Sequence, residues 1–399
     1  MKRHGVVFAL FVLSLITYID RVCISAATGP ITADLQLSDS AMGLVFSAFA
    51  LGYALAQIPA GWFADKAGPR LALAVVVGVW SVLTALTGAA WNLASMVAIR
   101  FLFGIGEAGA FPGSARAIRN WLPQGDRGLA NGILFSGARL GAALAFPLLA
   151  WMLTLWHWRT TFVILGVVGL IWVAFWALSF RDHPPQPLPP DAVPSRTVGL
   201  AQVFRSKLMA LAMTQYFASN FTFFICLSWM LPYLVRQFDL TASQGAGYAM
   251  VPLLFGATSQ WFAGWLVDRI YRSRLRAWSR RIPGMVGFAL AAAGVLGVTR
   301  SGSPEMAVFF FTLATFGADM TISPSWVFCA DIAGKDTGSV SGSMNMIGNI
   351  GSFVSANAFP YLQERTGDAS AYFVVAAMLN LLSIFCWLKM RSVESEKEP

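Results

Sequence analysis

Long apolar stretches, broken by short polar and basic segments, recur along all 399 residues. Each runs roughly 18 residues or more, enough for an α-helix to cross a hydrocarbon core of about 30 Å. Twelve spans can be marked, at roughly 5–28, 41–64, 71–91, 94–118, 127–152, 160–180, 208–235, 243–267, 282–299, 304–330, 336–361 and 369–389. The runs are continuous, with no sign of the short alternating segments of an outer-membrane barrel. The pattern therefore predicts an all-α integral membrane protein of twelve transmembrane helices in two six-helix bundles.

The largest break, RDHPPQPLPPDAVPSRT at 181–197, holds six prolines and cannot form a helix interior. It divides the chain into an N-terminal bundle (1–180), a cytoplasmic linker (181–206) and a C-terminal bundle (207–399). The halves echo each other. QIPAGWFADKAGPR begins at Gln57 and QWFAGWLVDRIYRSRLR at Gln260. Each has a Gly four residues after the Gln and then an acid–base pair, Asp65–Lys66 and Asp268–Arg269. Both fall at the end of the second span of their half, as a duplicated six-helix unit would place them.

Composition agrees with lipid as the main solvent. Hydrophobic residues make up 57% of the chain and charged residues 12%, against about 25% charged in a soluble domain. The net charge of +9 raises the question of nucleic acid, but its distribution answers it. Once the loops alternate between two sides, 21 Lys and Arg lie on the side of both termini and four on the other. That asymmetry places both termini in the cytoplasm and argues against a nucleic-acid partner. The opening MKRHGVVFALFVLSLITYIDR looks superficially like a signal peptide; without a small-residue cleavage site it reads as the first span. Cys23, Cys226, Cys329 and Cys386 fall inside spans with no CxxC spacing, and the three His form no cluster. No metal site, cofactor site or nucleophile–base arrangement is expected, and so no enzyme.

Six ionisable residues remain inside the spans: Asp20, Arg21, Arg100, Glu107, Arg139 and Asp319. A charge at the bilayer centre costs a few kcal/mol or more, so such groups pair or mark a transport pathway. Arg100 and Glu107, seven residues apart, share one helix face. A pairing of Arg21 with Glu107 could be purely structural, but a buried ion pair is a poor stabiliser. Arg139 reads either as a binding site for a second carboxylate or as a partner of backbone carbonyls or Asp319. Asp319 reads as a proton site, an Arg partner or a hydroxyl-binding group. Pro324 should kink the tenth span and free carbonyls there. Tyr216, Asn220, Phe223, Trp229, Ser323, Ser325 and Trp326 are weaker candidates, and Gly348 and Gly351 read as packing positions.

GWFADKAGPR resembles the signature of the major facilitator superfamily, Gly-x-x-x-Asp-Arg/Lys-x-Gly-x-Arg/Lys between the second and third spans. By that resemblance Gly61 permits close helix approach, Asp65 latches the halves on the cytoplasmic side, Gly68 makes the turn, Arg70 faces lipid phosphates, and Asp268 repeats Asp65. YIDR in the first span and RFLFGIGEAGAFP in the fourth look like the anion:cation symporter branch, which includes bacterial sugar-acid carriers and the animal sialic-acid and vesicular glutamate carriers. The resemblance implies a monomeric secondary transporter in the inner (plasma) membrane, importing an organic anion by proton symport through alternating access. Arg21 and Arg100 would bind the anion, with hydroxyls from Tyr18 and Tyr53 and a polar contact from Asn345. Asp20 and Glu107 would carry the coupling proton, and Asp319 is a further candidate. The fifth span departs from the pattern: Ala138 stands where some sugar-acid carriers have Gln, beside Arg139. An exchanger or exporter of anions is the competing reading. A transporter-like receptor is less favoured, because it would want a cytoplasmic extension longer than MRSVESEKEP.

Overall fold

A computed structural model describes residues 2–185, 188, 201 and 205–390. Most of the proline-rich linker and residues 391–399 lie outside the described residues. Among the described residues there is no strand, and sixteen α-helices carry the fold. They are α1 Arg3–Ala26, α2 Thr28–Leu35, α3 Asp39–Ala67, α4 Pro69–Thr87, α5 Leu93–Glu107, α6 Ala110–Trp121, α7 Arg127–Leu155 and α8 Trp158–Ser179. After the linker come α9 Lys207–Ser228, α10 Met230–Gln237, α11 Ala242–Tyr271, α12 Arg281–Val298, α13 Pro304–Met320, α14 Ile322–Ala333, α15 Thr337–Thr366 and α16 Ser370–Lys389. Among the described residues, eleven stretches are helical, long and apolar enough to cross a membrane. One of them, Pro304–Thr366, is 63 residues long and joins the predicted spans 304–330 and 336–361.

Four predicted spans are broken, and one cause serves all four. The breaks fall at Ala27, Ala108–Gly109, Trp229 and Thr321. Prolines stand just beyond them at Pro30, Pro112, Pro232 and Pro324. Proline has no N–H for the carbonyl four residues back, so the carbonyls of Ala26, Ala108, Ser228 and Met320 lose their helical donor. Pro59, Pro147, Pro252 and Pro360 sit inside continuous helices, where packing outweighs the same loss. Helix starts are capped locally. Asn92 with Ser95 and Thr241 with Gln244 form reciprocal capping boxes, and Ser38 and Ser303 accept from the N–H three residues on.

The residues cluster into two compact units. The first comprises the chain up to Leu122, Gly137–Leu188 and Lys335–Ser343; the second comprises Pro123–Ser136, Pro189–Gly334 and the chain from Met344. In the first, α3 packs along α5 and α4 along α8, over a core that includes Ile24, Met42, Met96, Leu149 and Phe162. In the second, α12 packs on α13 and α16, and α11 on α13; Phe221, Val295, Phe311, Tyr372 and Phe373 lie in its core. Large apolar side chains also stand exposed, among them Phe8, Ile171, Leu178, Phe309 and Met378. Lipid, rather than water, accounts for such surfaces. All four cysteines are buried thiols.

Candidate functional site

Asp20 and Arg21 are neighbours in sequence, but a helix turns about 100° per residue. They leave α1 in different directions. Arg21 turns to α3 and α5, where its Nε donates to Oε1 of Glu107. Its guanidinium carbon lies 4.3 Å from the centre of the Tyr53 ring, 5.1 Å from Tyr18 and 5.5 Å from Phe49. Aromatic faces stabilise a cation without quenching its N–H donors. Glu107 is fully buried, whereas the Arg21 side chain keeps 17% exposure. The pair is joined at one point only: Nη2 of Arg21 and Oε2 of Glu107 are buried with no hydrogen-bond partner.

Arg100 sits two turns before Glu107 on α5 and is 1% exposed. Its guanidinium lies 4.2 Å from the Phe103 ring and 5.4 Å from Phe49, and its Nε and Nη1 have no hydrogen-bond partner. α5 can approach α3 this closely because Gly104 faces the backbone of Phe49 and Tyr53; a Cβ there would lie 2.8 Å from the Tyr53 nitrogen. Asp20 faces α4 instead. Its Oδ2 accepts from Trp80 Nε1 at 3.2 Å and from Thr84 Oγ1 at 3.5 Å.

The first unit thus brings together Tyr18, Asp20, Arg21, Tyr53, Arg100 and Glu107. Arg139 belongs to the same unit and is 7% exposed; Gly137 and Gly141 on either side of it press α7 against Phe11, Leu15 and Tyr18 of α1. Asp319, fully buried, and Asn345, 8% exposed, lie in the second unit. There Asp319 packs over Gly256 of α11. Several weaker candidates are engaged in structural bonds: Trp326 Nε1 donates to the Tyr216 hydroxyl (2.9 Å), Gln215 to Ser325 (3.0 Å), Ser323 to the Gly128 carbonyl (2.7 Å) and Trp229 Nε1 to the Ala356 carbonyl (3.1 Å). Gly348 lies against the Tyr216 ring and Gly351 against the Phe217 backbone, as packing positions do.

The repeated signature has a defined geometry. Asp65 Oδ1 accepts from the Gly338 N–H, and Oδ2 from the Ser339 N–H and hydroxyl, all at 2.7 Å. Asp268 accepts from the N–H groups of Gly128 and Leu129, both at 2.8 Å. Each acid therefore caps a helix N-terminus, α15 and α7 respectively, where a negative charge meets unsatisfied donors and the positive end of the helix dipole. Gly61 permits the approach: a Cβ there would lie 2.7 Å from the carbonyl carbon of Gly338. Gly68, with φ +79°, makes the left-handed turn into α4. Arg70 does not simply face outward. Its Nη2 donates to the Ala177 carbonyl of α8 at 2.6 Å, and its N–H to Asp182 at 2.8 Å.

Sequence reasoning missed a second charged cluster. Asp331 accepts from Arg280 Nε at 3.0 Å and from Gln124 Nε2 at 2.8 Å, with Arg127 3.8 Å away; Tyr271 in turn donates to Gln124. Arg127 and Arg280 sit at span ends, where a basic residue reads as a loop charge in sequence, yet both are under 5% exposed. Arg159, at the start of α8, is engaged in the same way. It binds Asp34 and the carbonyls of Gly88 and Ala90, tying α2 and the end of α4 to α8.

A sequence profile of the Major Facilitator Superfamily matches residues 10–356. The chain belongs to the major facilitator superfamily. It is 35% identical over 395 residues to a probable sulfoacetate transporter of Cupriavidus necator, covering 94% of this chain and 91% of that one. It is 28% identical over 419 residues to a probable galactarate/D-glucarate transporter of Escherichia coli, covering 97% and 94%. Among solved structures, a superfamily transporter crystallised in the outward conformation superposes with a TM-score of 0.77 at 13% identity, covering 96% of this chain and 98% of that one. At that identity the likeness shows the fold. This superfamily member is a transporter, and it is a multi-pass protein of the inner (plasma) membrane.

Proposed function

We propose that this protein imports a small organic anion by proton symport, through alternating access of two six-helix bundles. It acts without a cofactor, and catalyses no covalent chemistry. Twelve spans are reached if the 63-residue stretch Pro304–Thr366 crosses twice; the Gly334–Asp336 turn inside it, with Gly334 at φ +56°, supplies the reversal. Both termini then face the cytoplasm. The named activities of the relatives, on sulfoacetate and on galactarate/D-glucarate, support small carboxylate or sulfonate anions as the substrate class.

The observation that carries this reading is the single-point contact between Arg21 and Glu107. A guanidinium can hold a carboxylate through two parallel bonds, each roughly twice as strong as a neutral one. Glu107 uses only Nε, leaving Nη2 unpaired in a buried aromatic setting. An incoming anion with both oxygens available outcompetes it once Glu107 takes a proton. Arg100, with two unpaired buried donors, receives a second polar or acidic group. Asp20 and Glu107 carry the coupling protons. Tyr18, Tyr53, Arg139 and Asn345 serve binding, and Asp319 serves coupling in the second half. Loss of protons to the cytoplasm restores the Arg21–Glu107 contact and expels the anion.

The test is uptake into proteoliposomes, alkaline inside, of labelled sulfoacetate, aldonates, uronates, aldarates and aromatic acids. Accumulation of one class that a protonophore abolishes is the expected result. Uptake driven only by preloaded anion would make the protein an exchanger and sink the symport reading.

A further inference from the structure

We infer that Trp80 and Thr84 are positioning residues that choose which oxygen of Asp20 takes the proton, and set how readily it does so. The inference rests on the reading of Asp20 as a proton carrier and goes beyond it to the groups that control it. Asp20, Trp80 and Thr84 are all fully buried. Both donors converge on Oδ2, whereas Oδ1 is buried with no hydrogen-bond partner. An indole N–H can only donate, so Trp80 always presents a donor to Oδ2. That oxygen remains the acceptor in both protonation states, and the proton resides on Oδ1.

Thr84 adds a second property. Its hydroxyl has one hydrogen and two acceptors in reach, the Trp80 carbonyl at 3.0 Å and Asp20 Oδ2 at 3.5 Å. A neutral acid competes weakly, and the hydrogen lies on the backbone carbonyl. An ionised carboxylate is the stronger acceptor, since hydrogen bonds to charged groups are about twice as strong, and it draws the hydroxyl over. The rotation follows the charge on Asp20 without any helix moving. Other ionisable groups act on Asp20 too: Glu107 and Arg100 of α5, and Cys23 of α1, whose thiol donates to the Asp20 carbonyl. None of them bonds the carboxylate directly, which leaves Trp80 and Thr84 as its only hydrogen-bond donors among the described residues.

Removing a donor to the ionised form favours the protonated one. The carboxyl then holds its proton to higher pH. The experiment is an infrared difference titration of the full-length protein in lipid without any transported anion, following the carbonyl band of the protonated acid that disappears in Asp20→Asn. In Trp80→Phe and Thr84→Val the midpoint should move alkaline by about one pH unit, and Thr84→Ser should bring it back. Unchanged midpoints in both variants would overturn the proposal; should Trp80→Phe fail to fold, the Thr84→Val and Thr84→Ser pair decides it alone. Absence of any titrating band that Asp20→Asn removes would overturn the proton-carrier reading itself, a separate failure.

Discussion

At the scale of single residues, the fold gives Arg21 a partner 86 residues away and turns its sequence neighbour elsewhere. Glu107 opposes Arg21, and Asp20 turns away to neutral donors on α4. The charges were legible because each is costly in an apolar run. Trp80 and Thr84 were not, since an indole and a hydroxyl in an apolar helix are commonplace and only the fold shows what they face. The separation predicts distinct phenotypes. Glu107→Gln leaves Arg21 without its counter-charge, so proton-driven accumulation should fall at least tenfold while counterflow exchange of preloaded anion persists; transport assays with and without a pH gradient check this. Arg21→Lys keeps the charge but loses the fork, and KM for the anion should rise tenfold or more.

At the scale of helices, proline and capping chemistry decide where elements break and where they meet. The sequence showed the repeated Asp at 65 and 268, and the reason for it is structural: each closes the open end of a helix far away in the chain. Span boundaries were less legible. Eight prolines invite a break by the same missing N–H, and neighbours unseen in the sequence decide which four yield. Asp65→Ala and Asp268→Ala should each lose about 1–2 kcal/mol of capping, visible as a lower thermal midpoint in detergent, and the two losses should be similar. Gly61→Leu would force a side chain against the Gly338 backbone and should abolish uptake in a protein that still inserts.

At the scale of the whole molecule, the charge asymmetry along the sequence makes a claim about orientation. If both termini are cytoplasmic, a reporter fused after Pro399 is active only inside the cell, and one inserted between Gly88 and Asn92 only outside. The opposite pattern would reverse the direction assigned to transport. The hydrophobic runs were readable as such because lipid imposes a minimum length on every span; two of the twelve runs marked in the sequence fall within one continuous 63-residue stretch, Pro304–Thr366. The interior charges at Arg127, Arg280 and Asp331 were hidden by the same rule: near a span end, burial in protein and exposure to headgroups look alike in sequence.

The four thiols offer one more consequence. Cys23, Cys226, Cys329 and Cys386 are all enclosed by protein, so a water-soluble maleimide should leave the native chain unlabelled until it is denatured. Every cysteine introduced at a surface position then becomes a clean reporter, in the wild-type background, of which side it faces and when it is covered during a transport cycle.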